Sequence, residues 1–224
     1  MRPFVLVNAN TVRPPIGPVG LEYVAQALVH ADIPVEMLDL AFQPEWEKSL
    51  ARSLSSQDPL AVGIAVRNTD DCCLATGKSF VLWIAQLVAE AKKLTSVPVV
   101  LGGGGFSIFP KGLLSATGAD IGIYGDGEDA AVLLSRALVT DGEVERIPNL
   151  VYRDAGYLRC NTGSRVDAER LPLPLRRMVD NARYQREGAM VGIETKRGCP
   201  NKCIYCADPV VKGREMRVRP PRVV

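Results

Sequence analysis

The stretch FVLVNANTVRPPIGPVGLEYVAQALVHA, residues 4–31, decides the fold class. It opens with FVLV, a short apolar run typical of a buried strand, and it closes with GLEYVAQALVHA, in which apolar residues recur at helical spacing. The segment between them is rich in glycine and proline and is predicted to be a loop. A buried strand, a loop and an amphipathic helix in this order form the first unit of an α/β sheet.

The same alternation continues to residue 138. Four further apolar runs predict strands at 35–40, 60–66, 97–101 and 119–124, and helical patterns follow at 44–54, 78–94, 109–117 and 128–138. Apolar runs without polar alternation are typical of parallel strands that are covered on both faces. We therefore predict a doubly wound, five-stranded parallel sheet in an α/β domain of residues 1–140.

The loops that follow the strands are where a ligand is expected. In an open parallel sheet, ligands bind beyond the carboxyl ends of the strands. The loops on that edge are 8–20, 67–73, 102–110 and 125–129, and the first and third are rich in glycine. We therefore place the candidate binding site at this edge.

Beyond residue 140 the pattern changes. NLVYRDAGYLRC, residues 149–160, alternates around Asp-Ala-Gly and predicts a hairpin, and residues 166–184 predict a linker with one or two helical turns. AMVGIETKRGC, residues 189–199, predicts a new strand that runs into a group of cysteines. The chain is thus expected to continue with a hairpin and linker at 141–187 and a further unit at 188–224.

Composition and charge narrow the class of protein. Apolar residues make up 47% of the 224, which argues against disorder, and no apolar run is long enough to predict a membrane span. The first residues lack a signal-peptide pattern, so we expect a cytoplasmic, reducing location in which six cysteines are poor evidence for disulfides. Two of them, the adjacent Cys72 and Cys73, are expected to be small packing residues that open a helix.

The charges are divided unevenly along the chain. Residues 1–150 carry 11 Lys and Arg against 17 Asp and Glu, whereas residues 151–224 carry 16 against 8. This asymmetry indicates either two units with different partners or a solvated arginine face in the second half. Because no basic stretch is interleaved with aromatic residues, a nucleic-acid partner is not expected.

Three cysteines stand close together in KRGCPNKCIYCADP, residues 196–209. They are Cys199, Cys203 and Cys206. Three thiolates on a short loop can each bind one iron of a cubane [4Fe–4S] cluster, which leaves the fourth iron open to an outside chelate. This arrangement would be the iron–sulfur counterpart of the open position that distinguishes catalytic from structural zinc.

Other uses of the three thiols leave something unexplained. A structural zinc needs four ligands, but the single histidine, His30, lies in the first helix, and Cys160 is 39 residues before Cys199. The spacing C-x3-C-x2-C also differs from that of a bacterial ferredoxin. A redox pair of Cys203 and Cys206 would leave the first thiol without a role.

This motif resembles the signature of the radical SAM superfamily, C-x3-C-x-aromatic-C, with Tyr205 in the aromatic position. The resemblance implies that S-adenosylmethionine chelates the open iron. It also implies that an electron from a flavodoxin-type or ferredoxin-type partner yields a 5′-deoxyadenosyl radical. Tyr205 would lie against the adenine or the cluster, or it would serve in plain packing.

The front domain together with this motif resembles the cobalamin-binding radical SAM enzymes, whose front domain is flavodoxin-like. The resemblance rests on PPIGPVGLEYVAQAL, VVLGGGGFSIFP and GDGED, each after a predicted strand and in this order. It implies that the glycine-rich turn admits the nucleotide tail of cobalamin and that Asp126 replaces the first acid of the family's G-E-G-E stretch. The cofactor contacts it implies here are Gly102, Gly103, Gly104, Gly105, Ser107 and Glu128.

One cobalamin motif is missing. The chain has no D-x-H-x-x-G, and His30, at the far end of the first helix, is expected to be structural. Cobalamin would then have no histidine ligand below the cobalt, and Arg67 and Asn68 are expected to border that lower face. Alternatively, Arg67 forms an ion pair with one of the carboxylates at 70–71.

The resemblance implies a cobalamin-dependent radical SAM methyltransferase that acts on an unactivated carbon of a small molecule or peptide. No catalytic residue is predicted. The alternatives are a radical SAM enzyme of another type whose front domain only docks partners, and a non-catalytic cobalamin or iron–sulfur module. Because a (β/α) barrel needs about 200 residues and 36 follow Gly188, we expect a fragment with the first barrel strand only, inactive by itself.

Overall fold

The chain forms an α/β sheet with a smaller C-terminal segment packed against it. The computed structural model describes residues 1–174, 176–189 and 192–223. The strands are β1 (Phe4–Asn8), β2 (Val35–Asp39), β3 (Ala61–Ala65), β4 (Val99–Gly102), β5 (Ile121–Ile123), β6 (Leu150–Asp154), β7 (Tyr157–Cys160), β8 (Lys196–Arg197) and β9 (Arg217–Val218). The helices are α1 (Val19–His30), α2 (Trp46–Gln57), α3 (Val81–Leu94), α4 (Gly104–Ile108), α5 (Pro110–Thr117), α6 (Glu128–Thr140), α7 (Asn181–Arg186) and α8 (Asp208–Lys212).

The main sheet has the order β2-β1-β3-β4-β5-β6-β7. Its first five strands are parallel, which confirms the doubly wound, flavodoxin-like prediction. The predicted hairpin also forms, but it continues the same sheet, because β6 pairs antiparallel with β5 and β7 with β6. The sheet therefore has seven strands, two more than expected. The division of the chain at residues 140 and 187 stays a prediction.

Both faces of the parallel strands are buried, as their apolar runs require. Val5, Val7 and Ile64 point to the face covered by α2, α3 and α5, whereas Phe4 and Leu6 point to the face covered by α1 and α6. Successive strand residues thus enter opposite halves of one core. The two helical layers hold the carboxyl ends of the strands at one open edge.

The turn after β4 differs from the prediction of a single helix at 109–117. A short helix, α4, already begins at Gly104, and α5 follows it from Pro110. Four glycines carry no helical signal, so the sequence could not show α4. Phe106, which is fully buried, holds it in the core.

The C-terminal segment contains little regular structure. The strand predicted at 189–199 is reduced to β8, which pairs only with β9, and residues 190 and 191 lie outside the described residues. Gly192 O instead accepts a hydrogen bond from Arg176 Nη2 at 2.5 Å, so this carbonyl is bound by a side chain. No described helix is both long and apolar enough to cross a membrane.

Candidate functional site

A cavity of about 550 Å³ lies between the sheet and helices α1 and α6. Its floor includes Leu6, Gly63 and Val100 of the central strands, and its sides include Val24 of α1 and Ala131 of α6. It reaches the carboxyl edge of the sheet, where the loops after β4 and β5 border it. A further wall comes from residues 192–197 and 211–212, which flank the cysteine loop. The predicted edge is therefore confirmed as the place of a cavity.

Glycines keep this cavity open. Gly103 has a φ of +98°, and a Cβ there would lie 2.6 Å from the carbonyl oxygen of Val66, so only glycine fits. Gly20 lines the mouth on α1, and a Cβ there would have no atom within 4 Å. A side chain at this position would extend into open space at the cavity mouth.

The structure places most of the predicted cofactor contacts around the cavity. Gly102, Gly103, Gly104, Arg67 and Glu128 all line it. The other predicted cofactor contacts, Asn68, Gly105, Ser107 and Tyr205, do not line it.

Gly105 and Ser107 support the lining from behind. A Cβ on Gly105 would come within 3.0 Å of the backbone at residues 67–68, so glycine lets α4 approach the loop after β3. Ser107 Oγ donates to the Gly103 carbonyl at 2.8 Å and accepts from the Gly125 N–H at 2.8 Å. It therefore ties together the two loops that border the cavity.

Arg67 and Asn68 lie side by side in the loop after β3. Arg67 Nη1 donates to Asn68 Oδ1 at 3.1 Å, and Asn68 lines only a small adjoining cavity. No ion pair joins Arg67 to Asp70 or Asp71 in the described part of the chain, so that alternative is wrong. The guanidinium stays exposed at the cavity rim.

The expectation for Cys72 and Cys73 is also wrong. Both thiols are exposed, and α3 begins only at Val81. The carboxylates before them explain the difference, because Asp70 Oδ1 accepts from the Cys72 N–H at 2.8 Å and Asp71 Oδ1 from the Cys73 N–H at 3.1 Å. These side chains stabilise turns where a helix was expected to begin.

Five charged residues, three of them buried and two partly buried, join the sheet edge to the C-terminal segment. We call Asp126, Glu128, Glu194, Arg197 and Arg217 the acid–arginine cluster. Arg197 Nη2 donates to Glu128 Oε1 at 2.6 Å, Nη1 to Asp126 Oδ1 at 3.3 Å and Nε to Glu194 Oε1 at 2.7 Å. Arg217 Nη1 donates to Asp126 Oδ2 at 2.6 Å. The acidic loop after β5 is therefore bound by two arginines from the basic half of the chain.

The carboxylates around Arg197 raise the pKa of its guanidinium. Burial alone would lower the pKa of the Arg197 guanidinium, but the neighbouring carboxylates of Glu128, Glu194 and Asp126 raise it overall. Removing one partner from a buried ion pair is expected to destabilise a protein by about 3–5 kcal/mol, because a charge stays buried without compensation. Loss of Arg197 would therefore leave three carboxylates of the acid–arginine cluster without this partner.

The three cysteines of the motif lie on a loop at the surface. Cys199 is half-buried, and its N–H donates to the Gly213 carbonyl at 3.0 Å, whereas Cys203 and Cys206 are exposed. Among the described residues, no three His, Cys, Asp or Glu side chains form a group that could hold a single metal ion. Tyr205 is 88% exposed, so it does not serve in packing within the described residues.

Sequence reasoning missed part of this site. Gly63, Gly20 and Val24 line the cavity without having been predicted. Gly63 did carry a signal, because a glycine in the middle of the run LAVGIAV often marks a close approach of a ligand. The partners of Arg197 carried none, since Glu128 is separated from it by 69 residues.

An α/β sheet of this order, with a glycine-lined cavity at the carboxyl edge, defines a ligand-binding domain of the doubly wound class. A family model described as the B12 binding domain matches residues 5–135. The chain belongs to this family, and cobalamin binding is what the family and the cavity together support.

Two individual relatives are similar to the chain over nearly its whole length. The chain is 30% identical to a tryptophan 2-C-methyltransferase of Streptomyces laurentii, over 96% of the chain and 44% of that relative. It matches TsrM of Kitasatospora setae, a radical S-adenosylmethionine methyltransferase solved with cobalamin and a [4Fe–4S] cluster, with a TM-score of 0.90, 31% identity and coverage of 100% of this chain and 45% of that one. The resemblance to cobalamin-binding radical SAM enzymes is thus confirmed.

A more distant structure shares the fold. OxsB, a cobalamin-dependent S-adenosylmethionine radical enzyme solved with aqua-cobalamin and S-adenosylmethionine, matches all of this chain and 30% of its own length, with a TM-score of 0.79 and 18% identity. The chain spans less than half the length of each of these relatives.

The residues around the cavity fit cobalamin on two observations. The volume suits a drug-sized part of the cofactor such as its nucleotide tail. In addition, Glu128 Oε2 is buried at the cavity without a hydrogen-bond partner among the described residues. A buried acceptor of this kind is costly unless a donor reaches it, and the amide and hydroxyl groups of a cobalamin offer such donors.

Proposed function

We propose that the chain is the cobalamin-binding and cluster-binding part of a radical SAM methyltransferase that transfers a methyl group to an unactivated carbon of a small molecule or peptide. One observation carries the proposal. The cavity that fits cobalamin is walled by the residues on either side of the cysteine loop, so the two cofactor places adjoin. The Streptomyces relative is a C-methyltransferase, which supports methyl transfer over another radical reaction.

Bound cobalamin would supply a carrier for the methyl group. Gly102, Gly103 and Gly104 would let the backbone approach its nucleotide tail, which would enter the cavity between α1 and α6. Glu128 Oε2 would accept a hydrogen bond from it. Arg67 would border the lower face of the ring, where a protonated guanidinium has no lone pair to offer a metal.

The three thiolates of Cys199, Cys203 and Cys206 would each hold one iron of a [4Fe–4S] cluster. The three thiols need not meet at one point for this role, because a cubane distributes its ligands over different irons. The cluster would supply the electron that cleaves S-adenosylmethionine at the fourth iron. Tyr205, which is exposed beside the last cysteine, would be available to cover the adenine, and a flavodoxin-type or ferredoxin-type reductant would reach the exposed loop.

The cobalamin half of the proposal is tested by titrating the chain with hydroxocobalamin and following the visible absorption spectrum. We expect saturable binding with one site per chain. Gly20→Phe places a ring at the cavity mouth and should weaken binding by about tenfold or more, whereas Gly20→Ala should bind almost as well. The matched control is Gly112→Phe, because Gly112 is also helical but lies on the exposed face of α5. Equal affinity of both phenylalanine variants would contradict this placement.

The cluster half is tested by anaerobic reconstitution with iron and sulfide, iron determination and electron paramagnetic resonance after reduction. We expect about four irons per chain, and a large loss for Cys199→Ser, Cys203→Ser or Cys206→Ser. Cys160→Ser is the control, because this exposed thiol lies outside the motif. Zinc in the anaerobically purified protein, or undiminished iron in Cys199→Ser, would exclude the cluster.

A further inference from the structure

We propose that Arg197 is a positioning residue that fixes the cysteine loop against the cobalamin cavity and thereby couples occupation of the two sites. The coupling rests on the proposed function, whereas the attachment of the loop is a property of the chain itself. The inference comes from the place of one buried side chain between two regions that bind different groups.

Arg197 contacts the cavity wall directly. Its side chain is 6% exposed, and it lines the cavity together with Asp126 and Glu128. Glu128 is shared between the two regions, because Oε1 accepts from Arg197 at 2.6 Å while Oε2 has no partner among the described residues. A donor that enters the cavity and binds Oε2 therefore acts on the same carboxylate that holds Arg197.

The backbone between Arg197 and Cys199 is short and constrained. Only Gly198 lies between Arg197 and Cys199, and its φ is +84°. A Cβ at Gly198 would lie 1.9 Å from the Glu215 carbonyl oxygen, so the backbone here is packed directly against the segment that precedes β9. The Cys199 N–H is also bound, by the Gly213 carbonyl at 3.0 Å.

The far end of the loop is attached as well. Arg217, which pairs with Arg197 in the β8–β9 ladder, binds Asp126 and the Val166 carbonyl, each at 2.6 Å. Arg165 Nη1 donates to the Val211 carbonyl at 2.6 Å. The cysteine loop is thus held at both ends, and Arg197 holds the end that carries the first thiol.

The acid–arginine cluster is not explained by its contribution to stability alone. Buried ion pairs lose much of their attraction to desolvation, and apolar residues of similar volume often replace them without loss. An apolar residue forms no directional hydrogen bonds, so it cannot fix the position of the cysteine loop relative to the loop after β5. Arg197→Met leaves the carboxylates of Asp126, Glu128 and Glu194 without this partner, and we expect the cost to appear as release of the loop from the sheet edge while the sheet itself stays folded.

Hydrogen exchange of the chain without cofactors tests the attachment. We expect amides in residues 198–213 to exchange about tenfold faster or more in Arg197→Met, with an intermediate effect in Arg197→Lys and unchanged exchange in β1, β3 and β4. The matched control is Arg159→Met, because Arg159 forms an exposed ion pair with Asp154 on the hairpin. Unchanged exchange in 198–213 would overturn the proposal, and so would equal acceleration throughout the sheet.

The coupling is tested by the cobalamin affinity of the chain with and without the reconstituted cluster. We expect the ratio of the two dissociation constants to be about fivefold or more in the wild type and close to one in Arg197→Met. A ratio that stays the same in the variant would overturn the coupling. If the wild type binds no cobalamin or no iron, the proposed function fails, whereas the exchange experiment still decides whether Arg197 attaches the loop.

Discussion

Glu22, in the first turn of α1, is a buried carboxylate with only one of its two oxygens hydrogen-bonded among the described residues. Its side chain is 1% exposed, and Oε2 accepts from Arg176 Nη1 at 2.9 Å, while Oε1 has no partner among the described residues. Burial raises the pKa of Glu22 above the ordinary value of 4.5, and Arg176 only partly offsets this effect. The folded protein therefore binds a proton at Glu22 more readily than the unfolded chain does.

This shift predicts a pH dependence. Because the folded pKa lies above the unfolded one, the folded state gains stability from this group as the pH falls through the raised pKa of Glu22, and the gain levels off below about 4.5. Glu22→Gln lacks this titration. We expect the free energy of unfolding of the wild type to rise relative to Glu22→Gln between pH 7.5 and 4.5, measured by urea denaturation. A difference that does not change with pH would contradict the raised pKa.

Asn149, at the junction of β5 and β6, attaches the hairpin to the sheet. Its Nδ2 donates to the Tyr124 carbonyl at 2.8 Å, and its Oδ1 accepts from the Ser164 N–H at 2.8 Å. Its φ is +65°, a conformation that asparagine tolerates better than most residues. The side chain thus replaces backbone hydrogen bonds where the sheet changes from parallel to antiparallel.

Asn149→Ala should therefore be strongly destabilising. It leaves the buried carbonyl and N–H groups without partners, and alanine is strained at positive φ. We expect a loss of about 2–4 kcal/mol in the free energy of unfolding, measured by urea denaturation. Asn181→Ala is the comparison, because that amide hydrogen-bonds to nearby carbonyls within a single turn, and its loss should be smaller. Similar losses would show that the junction does not depend on Asn149.

Secondary-structure elements could be predicted from the sequence wherever a local pattern of residues determines them. Continuous apolar runs predicted all five parallel strands, and Asp-Ala-Gly predicted the hairpin. The same signals could not show that the hairpin joins the sheet, because β5–β6 pairing is a contact between distant segments. They also predicted too long a strand at 189–199, where the Gly192 carbonyl is bound by Arg176.

The charge asymmetry of the chain has its explanation in the whole molecule. The acidic first part and the basic second part were predicted to have different partners or a solvated face. In the structure, Arg176, Arg197 and Arg217 of the basic part bind Glu22, Asp126 and Glu128 of the acidic part. The site residues were predicted from motifs on single loops. These ion pairs join distant parts of the chain, so they could not be predicted from the sequence.

Cobalamin should stabilise the whole chain if its tail fills the cavity between α1, α6 and the sheet. A ligand at a hundredfold excess over its dissociation constant stabilises the folded state by about 2.7 kcal/mol, which raises the midpoint of thermal unfolding by about 5–10 °C in a chain of this length. We expect this rise for the wild type and Gly112→Phe, and little rise for Gly20→Phe. Cobinamide at the same concentration lacks the nucleotide tail and should produce a clearly smaller rise, because it leaves the cavity unfilled. An equal rise with cobinamide would show that the ligand binds elsewhere on the molecule.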